Sequence, residues 1–209
     1  MNALEKELLQ LNRKEQHLLN ATGSANGLKQ QIYEKVPEKV AMSLHKAFSK
    51  AFQLVFEKGS SYIEKTLDTE TLKMDFEANN YVVDRNGTRK SVSRMEKRSK
   101  KGSLINHTAT TTAGFGLGFL GLGIPDIPLF VATMLRSLYE TSLTYGYDYN
   151  STEEQIYQLR LIRTALAPFP DRLSYNDQLD ERLYAEDSLA EEIEETATVL
   201  SDALLVEKF

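Results

Sequence analysis

The chain has 209 residues, of which 41% are hydrophobic and 26% are charged, and these fractions are typical of a globular protein rather than a disordered one. It has no Cys and only three, widely separated His, which excludes a disulfide scaffold and a thiolate nucleophile and leaves no cluster of soft metal ligands. The formal net charge of −5 provides no overall attraction to nucleic acid or anionic lipid. We therefore expect no metal and no cofactor.

The first 27 residues form a unit of their own in the sequence pattern. Leucines recur on one stripe of a predicted amphipathic helix over residues 3–20, namely Leu4, Leu8, Leu11 and Leu18. A segment rich in Gly, Ser and Asn follows at 21–27 and is typical of a linker. Because the N-terminus is charged and has no apolar signal-peptide core, the sequence predicts a cytoplasmic location. We expect this helix and linker at 1–27 and one all-α domain over 28–209.

A second helix is predicted from Pro37, a residue suited to the first helical position, to about Gly59. Its apolar residues recur every four positions and predict a broad buried face: Val40, Leu44, Phe48, Phe52 and Phe56. Weaker helical patterns follow at 60–67 and 69–83. Residues 103–122 are predicted as helix interrupted by glycine, because no second strand-like run lies near the β-branched residues there.

The C-terminal half has clearer helix boundaries. Asp126 can cap a helix that runs to about Tyr145. Ser151 and Glu154 fit a capping box that opens a helix to about Ala167, which prolines then close. Two further helices are predicted at 171–185 and 188–207. The predicted fold class is all-α, a helical bundle with a Gly-rich apolar helical hairpin.

Charge is unevenly distributed. Residues 85–101 contain one acidic residue, Glu96, and eight basic residues: Arg85, Arg89, Lys90, Arg94, Lys97, Arg98, Lys100 and Lys101. Residues 177–195 contain nine acidic residues and one basic residue, Arg182. The basic stretch fits an anionic membrane surface, or an exposed loop neutralised by the acidic segment. It lacks interleaved aromatic residues, so we expect no nucleic-acid partner.

Between these charged segments lies an apolar stretch, residues 113–135, with Asp126 as its only charge. Its first part holds five glycines: Gly114, Gly116, Gly118, Gly121 and Gly123. Glycine inside a helix costs about 0.5–1 kcal/mol relative to alanine, and close helix packing or lipid contact would offset that cost. Pro125 and Pro128 divide the stretch into parts too short to span a bilayer, which favours an interfacial or re-entrant hairpin. A tightly packed hairpin in the protein core is the alternative.

Catalytic patterns are sparse. The glycines match Gly-x-Gly-x-x-Gly at 116–121, but no strand precedes them and Pro125 follows, so a dinucleotide site is not expected. No Gly-x-Ser-x-Gly motif is present. The acid pairs Glu153-Glu154 and Glu191-Glu192 are expected on solvated helix faces. We expect no catalytic residues and no enzymatic activity.

Several motifs together resemble the EcsC family of bacterial proteins. In chain order they are the Phe48-x-x-x-Phe52 helix, Lys58-Gly59, Ile63-Glu64-Lys65-Thr66, the Gly-rich run 114–123, Pro125-Asp126-Ile127-Pro128, Arg136, Tyr145-Gly146-Tyr147-Asp148 and Glu153-Glu154. The resemblance spans about residues 30–205, and the Tyr-Gly-Tyr-Asp motif downstream of the Asp-Ile-Pro turn is its most specific part. The helix at 3–20 and the basic stretch do not fit the family pattern.

The resemblance implies a modest functional expectation. The founding member is encoded beside the subunits of an ABC exporter linked to protein secretion, and no reaction or ligand carries over. The family motif maps to Gly114, Gly118, Asp126, Pro128, Arg136, Tyr145, Gly146, Tyr147 and Asp148 as structural candidates. Among these, Gly146 is expected to end one helix and Asp148 to cap toward the next, while Tyr145 and Tyr147 cover apolar surface with their hydroxyls in water.

Two functional hypotheses follow. The first is a non-enzymatic accessory protein at the inner face of the cell membrane, which uses the apolar hairpin to contact the bilayer or a membrane protein such as an ABC transporter subunit. The second is a soluble helical binding protein whose hairpin is internal and holds a small apolar ligand or a partner helix. The sequence leaves the oligomeric state open.

Overall fold

The computed structural model describes residues 3–20, 36–59, 63–86, 90, 93, 127–168, 170–180 and 188–208. Every extended regular element in these ranges is a helix, which confirms the all-α prediction. The elements are α1 (Ala3–Leu19), α2 (Glu38–Leu54) with a π-helical turn at Val55–Gly59, α3 (Thr69–Asn86), α4 (Ile127–Thr144), α5 (Thr152–Leu166), α6 (Asp171–Asp180) and α7 (Leu189–Lys208).

Several predicted features lie outside the described residues. They are the linker at 21–27, the helix predicted over 103–122, the whole glycine run, Pro125, Asp126, the end of the helix predicted at 171–185, and the basic residues Arg89, Arg94, Lys97, Arg98, Lys100 and Lys101.

Helix α4 lies at the centre of the core. Its buried side chains recur every fourth residue along one stripe: Ile127, Val131, Leu135, Tyr139 and Leu143. This stripe packs on Phe48 and Phe52 of α2, and Phe48 also meets the ring of Phe130 edge-on. Helix α7 packs against both α2 and α5, so the core continues from α4 through α2 to α7. Each fully buried large side chain contributes about 1.5–3 kcal/mol.

The predicted buried face of α2 is wrong at Val40, which is exposed, and correct from Leu44 onward, where the predicted side chains are partly or fully buried in the core. At the start of the helix, Ala41 and Leu44 also pack on a small cluster formed by Val36 and Leu205, the latter from α7.

The apolar stretch 113–135 is described only from residue 127 onward. Its second part is the first half of α4, where Ile127, Val131 and Leu135 are buried in the protein core. Pro128 lies in the first turn of that helix, where a missing backbone N–H costs nothing. In the part of the chain that the structure describes, no helix combines the length and apolarity needed to cross a bilayer.

The capping signal at Ser151 is confirmed in one of its two halves. The Ser151 side chain accepts a hydrogen bond from the Glu154 N–H at 3.2 Å, and the helix runs from Thr152 to Leu166. The Glu154 carboxylate instead accepts a hydrogen bond from the hydroxyl of Ser142 at 2.6 Å. Glu154 therefore ties the start of α5 to the end of α4.

Candidate functional site

The most specific sequence motif forms the turn that ends α4. Gly146 has a φ of +83°, in the left-handed region that favours glycine. The Gly146 N–H donates to the Leu143 carbonyl at 3.1 Å, and the Tyr147 N–H donates to the Ser142 carbonyl at 2.9 Å. These two bonds define a Schellman motif, so Gly146 ends the helix as predicted.

Space as well as backbone conformation requires glycine at this position. A Cβ built on Gly146 would overlap the ring of Phe76 in α3. Beyond the glycine, the Asp148 carboxylate accepts a hydrogen bond from the Asn150 N–H at 3.1 Å. Asp148 therefore stabilises a local turn before α5, and the residue that caps α5 is Ser151.

A second motif, Ile63 to Thr66, meets α4 at Arg136. The Arg136 guanidinium donates from Nε to the Thr66 hydroxyl at 3.0 Å and from Nη2 to the Thr66 carbonyl at 2.9 Å. It also lies 3.7 Å from the Glu140 carboxylate, one turn along the same helix. Arg136 thus fixes the short segment that leads into α3.

Two tyrosines link the same segment to the end of α4. The rings of Tyr139 and Tyr149 stack with their centroids 4.5 Å apart, and the Tyr149 hydroxyl donates to the Glu64 carboxylate at 2.7 Å. The Tyr139 hydroxyl is buried and has no hydrogen-bond partner among the described residues.

The environment keeps both hydroxyls protonated. Burial, the hydrogen bond to Glu64 and the charge of that carboxylate raise the pKa of Tyr149 to about 12. Burial raises the pKa of Tyr139 well above its usual range, and the charges of Tyr149 and Glu64 add to the effect. At neutral pH neither hydroxyl acts as a base, and the Tyr149 hydroxyl donates its proton in the hydrogen bond to Glu64.

A pocket of about 300 Å³ lies beside the Gly146 turn, between the start of α3 and the end of α4. Its lining comprises Lys73, Phe76, Glu77, Leu143, Gly146, Tyr147 and Asp148. Three of these residues belong to the Tyr-Gly-Tyr-Asp motif. No cluster of three or more His, Asp or Glu able to hold a metal ion occurs among the described residues. The chemistry available at this pocket is binding by charge and by aromatic faces.

Sequence reasoning missed a second polar cluster, formed by α5, α6 and α7. Arg160 pairs with Glu192 at 2.7 Å, and Arg163 lies 3.1 Å from Glu192 and also pairs with Glu195. The guanidinium of Arg163 donates to the Gln178 side chain and lies 4.7 Å from the ring centroid of Tyr175. The prediction of a solvated Glu191-Glu192 pair is therefore wrong for Glu192, which is buried. The usable signal was the i, i+3 spacing of the two arginines and of the two glutamates.

The remaining predicted site residues are dispersed. Arg85 lies in the last turn of α3, with its guanidinium over the ring of Tyr81 at 5.4 Å, and Lys90 is exposed. Tyr145 and Tyr147 are both exposed. Arg136 lies within α4 and the Tyr145–Asp148 turn follows the end of that helix, while the glycine run and most of the basic stretch lie outside the described residues.

The fold and this site define a class of all-α protein in which one central helix, closed by a glycine turn, organises the motif residues. The model of the EcsC protein family matches residues 2–209, so the chain belongs to the EcsC family. The match is wider than the residues 30–205 expected from the motifs, and it includes α1 and the basic stretch. No curated protein and no solved structure gives a significant match.

Proposed function

We propose that this protein is a non-enzymatic accessory protein that associates with the inner face of the cell membrane, close to membrane proteins such as ABC exporter subunits. The exporter part of the proposal rests on the resemblance to the founding family member. The membrane part rests on one observation, the exposed leucine stripe of α1. The leucines predicted to share one side of that helix all have at least 43% of their surface exposed: Leu4, Leu8, Leu11 and Leu18.

Helix α1 is attached to the rest of the protein at its C-terminal end. Leu19, the last residue of this helix, is buried, and the carbonyl of Leu18 accepts a hydrogen bond from Arg172 of α6 at 3.0 Å. The preceding turns leave their apolar side uncovered by the described part of the chain. An amphipathic helix with an uncovered apolar side can lie in the interface of a bilayer.

The charges on α1 favour shallow, reversible binding. Glu15 lies on the leucine side between Leu11 and Leu18, so the carboxylate opposes deep insertion of the last turn. Lys6 and Arg13 lie on the opposite side, by the 100° rotation per residue of a helix. Full burial of one leucine contributes about 1.5–3 kcal/mol, so partial insertion of Leu4, Leu8 and Leu11 is sufficient for weak attachment. The glycine run at 113–123 is a second proposed contact.

Liposome flotation tests this proposal. Wild-type protein is expected to float with vesicles of phosphatidylglycerol and phosphatidylcholine, and the double variant Leu8→Glu/Leu11→Glu is expected to remain in the dense fraction. Leu9→Glu is the matched control, because Leu9 is also exposed but lies on the opposite side of α1. Circular dichroism must show that both variants have the same helix content as the wild type, so that a loss of flotation does not reflect unfolding.

Flotation that is equally strong in the double variant would remove α1 from the proposal. A deletion of residues 113–123 then tests the glycine run. This deletion leaves Ile127, Val131 and Leu135 in place, which the core of α4 needs. Undiminished flotation in both variants would overturn α1 and the glycine run as the membrane contacts. No flotation with the wild type would overturn membrane association itself.

A further inference from the structure

The pocket beside Gly146 combines opposite charges with aromatic rings. Two carboxylates, one ammonium group and two rings line it: Glu77, Asp148, Lys73, Phe76 and Tyr147. Lys73 and Glu77 are four residues apart on α3, a spacing that allows an ion pair. Within the described part of the chain, however, the side chains of Lys73, Glu77 and Tyr147 form no hydrogen bond or ion pair with other side chains or with the backbone. These groups are therefore available to a ligand.

The charge balance of the lining favours a cation. Two carboxylates outweigh the single ammonium group of Lys73, and the lining also includes the aromatic rings of Phe76 and Tyr147, a residue type whose quadrupole attracts positive charge. Rings and a lysine do not coordinate a hard metal ion, which needs six or more oxygen ligands. One oxygen of Asp148 is also occupied by the Asn150 N–H at 3.1 Å. An organic cation therefore fits the lining better than an inorganic one.

We infer that this pocket binds a small organic ammonium ion, held by the carboxylates of Glu77 and Asp148 against the rings of Phe76 and Tyr147. A volume of about 300 Å³ is at the lower limit for ligand pockets, so the ligand is of the size of ethanolamine or choline. The same ammonium chemistry occurs in free amines and in lipid headgroups. The inference does not depend on membrane association.

Gly146 shapes this pocket. Its left-handed conformation turns the chain so that Tyr147 and Asp148 face α3, and the absence of a Cβ lets the Phe76 ring lie directly against the turn. The glycine of the family motif thus has a binding role as well as a helix-ending role.

Titration of the full chain with tetramethylammonium chloride or ethanolamine hydrochloride, followed by NMR shifts of the aromatic protons, tests the inference. We expect saturable binding in the millimolar range, roughly the affinity of one exposed cation–π and ionic site, with sodium chloride at equal ionic strength as the blank. Glu77→Gln and Asp148→Asn are each expected to weaken binding by about threefold to fivefold. Asparagine retains an oxygen for the Asn150 N–H, so the turn is kept.

Glu70→Gln is the matched control, because Glu70 is an exposed acid in the first turn of the same helix outside the pocket lining. No saturation up to about 100 mM, or the same affinity in Glu77→Gln and in the wild type, would overturn the inference. Vesicles with and without phosphatidylethanolamine separate the two sources of the ligand. A preference for ethanolamine lipid that Glu77→Gln abolishes assigns the headgroup, and saturable binding of the free amine alone assigns a soluble amine.

Discussion

The two polar clusters of this protein differ in what their charged side chains contact. In the cluster of α5, α6 and α7, two buried arginines meet two glutamates, and further contacts to Gln178 and Tyr175 surround Arg163. Around the Gly146 turn, by contrast, the charged side chains of Lys73, Glu77 and Asp148 line an open pocket. Charged groups that meet one another inside the protein suit a structural role, whereas charged groups that line a pocket suit binding.

The first cluster also explains why α6 stays on the protein. This helix has few apolar residues. The side chain of Gln178 and the ring of Tyr175 contact Arg163 of α5. The Gln178 carbonyl accepts a hydrogen bond from Arg160 at 3.4 Å. A buried ion pair contributes little net stability compared with an apolar core, but breaking one leaves a buried charge without a partner. The largest effects of substitution are therefore expected here.

Replacing Arg163 by Leu is expected to lower the free energy of unfolding by about 3–5 kcal/mol, because Glu192 would lose one of its two arginines inside the protein. Arg163 is only 1% exposed, so water cannot replace the lost contacts. Urea denaturation followed by circular dichroism measures the change. Glu195→Gln is the control: with 62% of its side chain exposed, its loss should cost less than about 1 kcal/mol. Equal effects of the two variants would contradict the structural role of this cluster.

Replacing Gly146 by Ala is expected to cost about 1–3 kcal/mol, because alanine is strained at a φ of +83°. The new Cβ would also overlap the Phe76 ring. Thermal unfolding of Gly146→Ala, Phe76→Leu and the double variant separates these causes. We expect the double variant to lose less stability than the sum of the two single variants, since the smaller side chain relieves the overlap and leaves the backbone strain. Strict additivity would show that the overlap carries no energy.

How far the sequence predicts each cluster depends on the range of the interactions. Gly146 and Ser151 were predictable because a left-handed helix end and an N-cap are determined by neighbouring residues. The contacts of Arg136 with Thr66 and of Tyr149 with Glu64 join positions 70 and 85 residues apart. Helical periodicity contains no information about such pairs. The resemblance to a family singled out most of these residues but gave no reason for their association.

The same limit explains the errors at Val40 and Glu192. Periodicity shows that a helix has an apolar side, but it does not show which neighbouring helix covers that side or where the cover begins. Likewise, Glu192 is buried because Arg160 and Arg163 are presented by α5, a pairing that composition does not reveal. The helices themselves followed the sequence patterns more closely: α3, predicted over 69–83, runs from Thr69 to Asn86.

Alkaline pH is expected to destabilise the α4 cluster through Tyr149. Its pKa is raised from 10.0 to about 12 in the folded protein, so the folded state holds the proton more tightly than the unfolded state does. The resulting stabilisation is fully present below pH 10 and is lost as the pH rises toward 12. Urea unfolding at pH 9, 10, 11 and 12 should show this decline, and Tyr149→Phe should reduce it. Absorbance at 295 nm should show a lower tyrosine pKa in Glu64→Gln, and an unchanged titration would contradict the assigned contact.

The smallest expected effect concerns the segment that connects the two clusters, where Ser151 caps α5. Ser151→Ala removes the acceptor for the Glu154 N–H and is expected to cost about 1 kcal/mol, measured by urea denaturation. Ser151→Asp should keep most of the stability, because its carboxylate accepts the same hydrogen bond and suits the positive end of the helix. Glu154 also accepts a hydrogen bond from Ser142, so Glu154→Gln tests whether α4 and α5 are coupled. If the losses of stability in Ser151→Ala and Glu154→Gln add in the double variant, the cap and the α4 contact act separately. If the double variant loses less than the sum, the two are coupled through Glu154. That residue then links the Gly146 turn to the helix that carries Arg160 and Arg163.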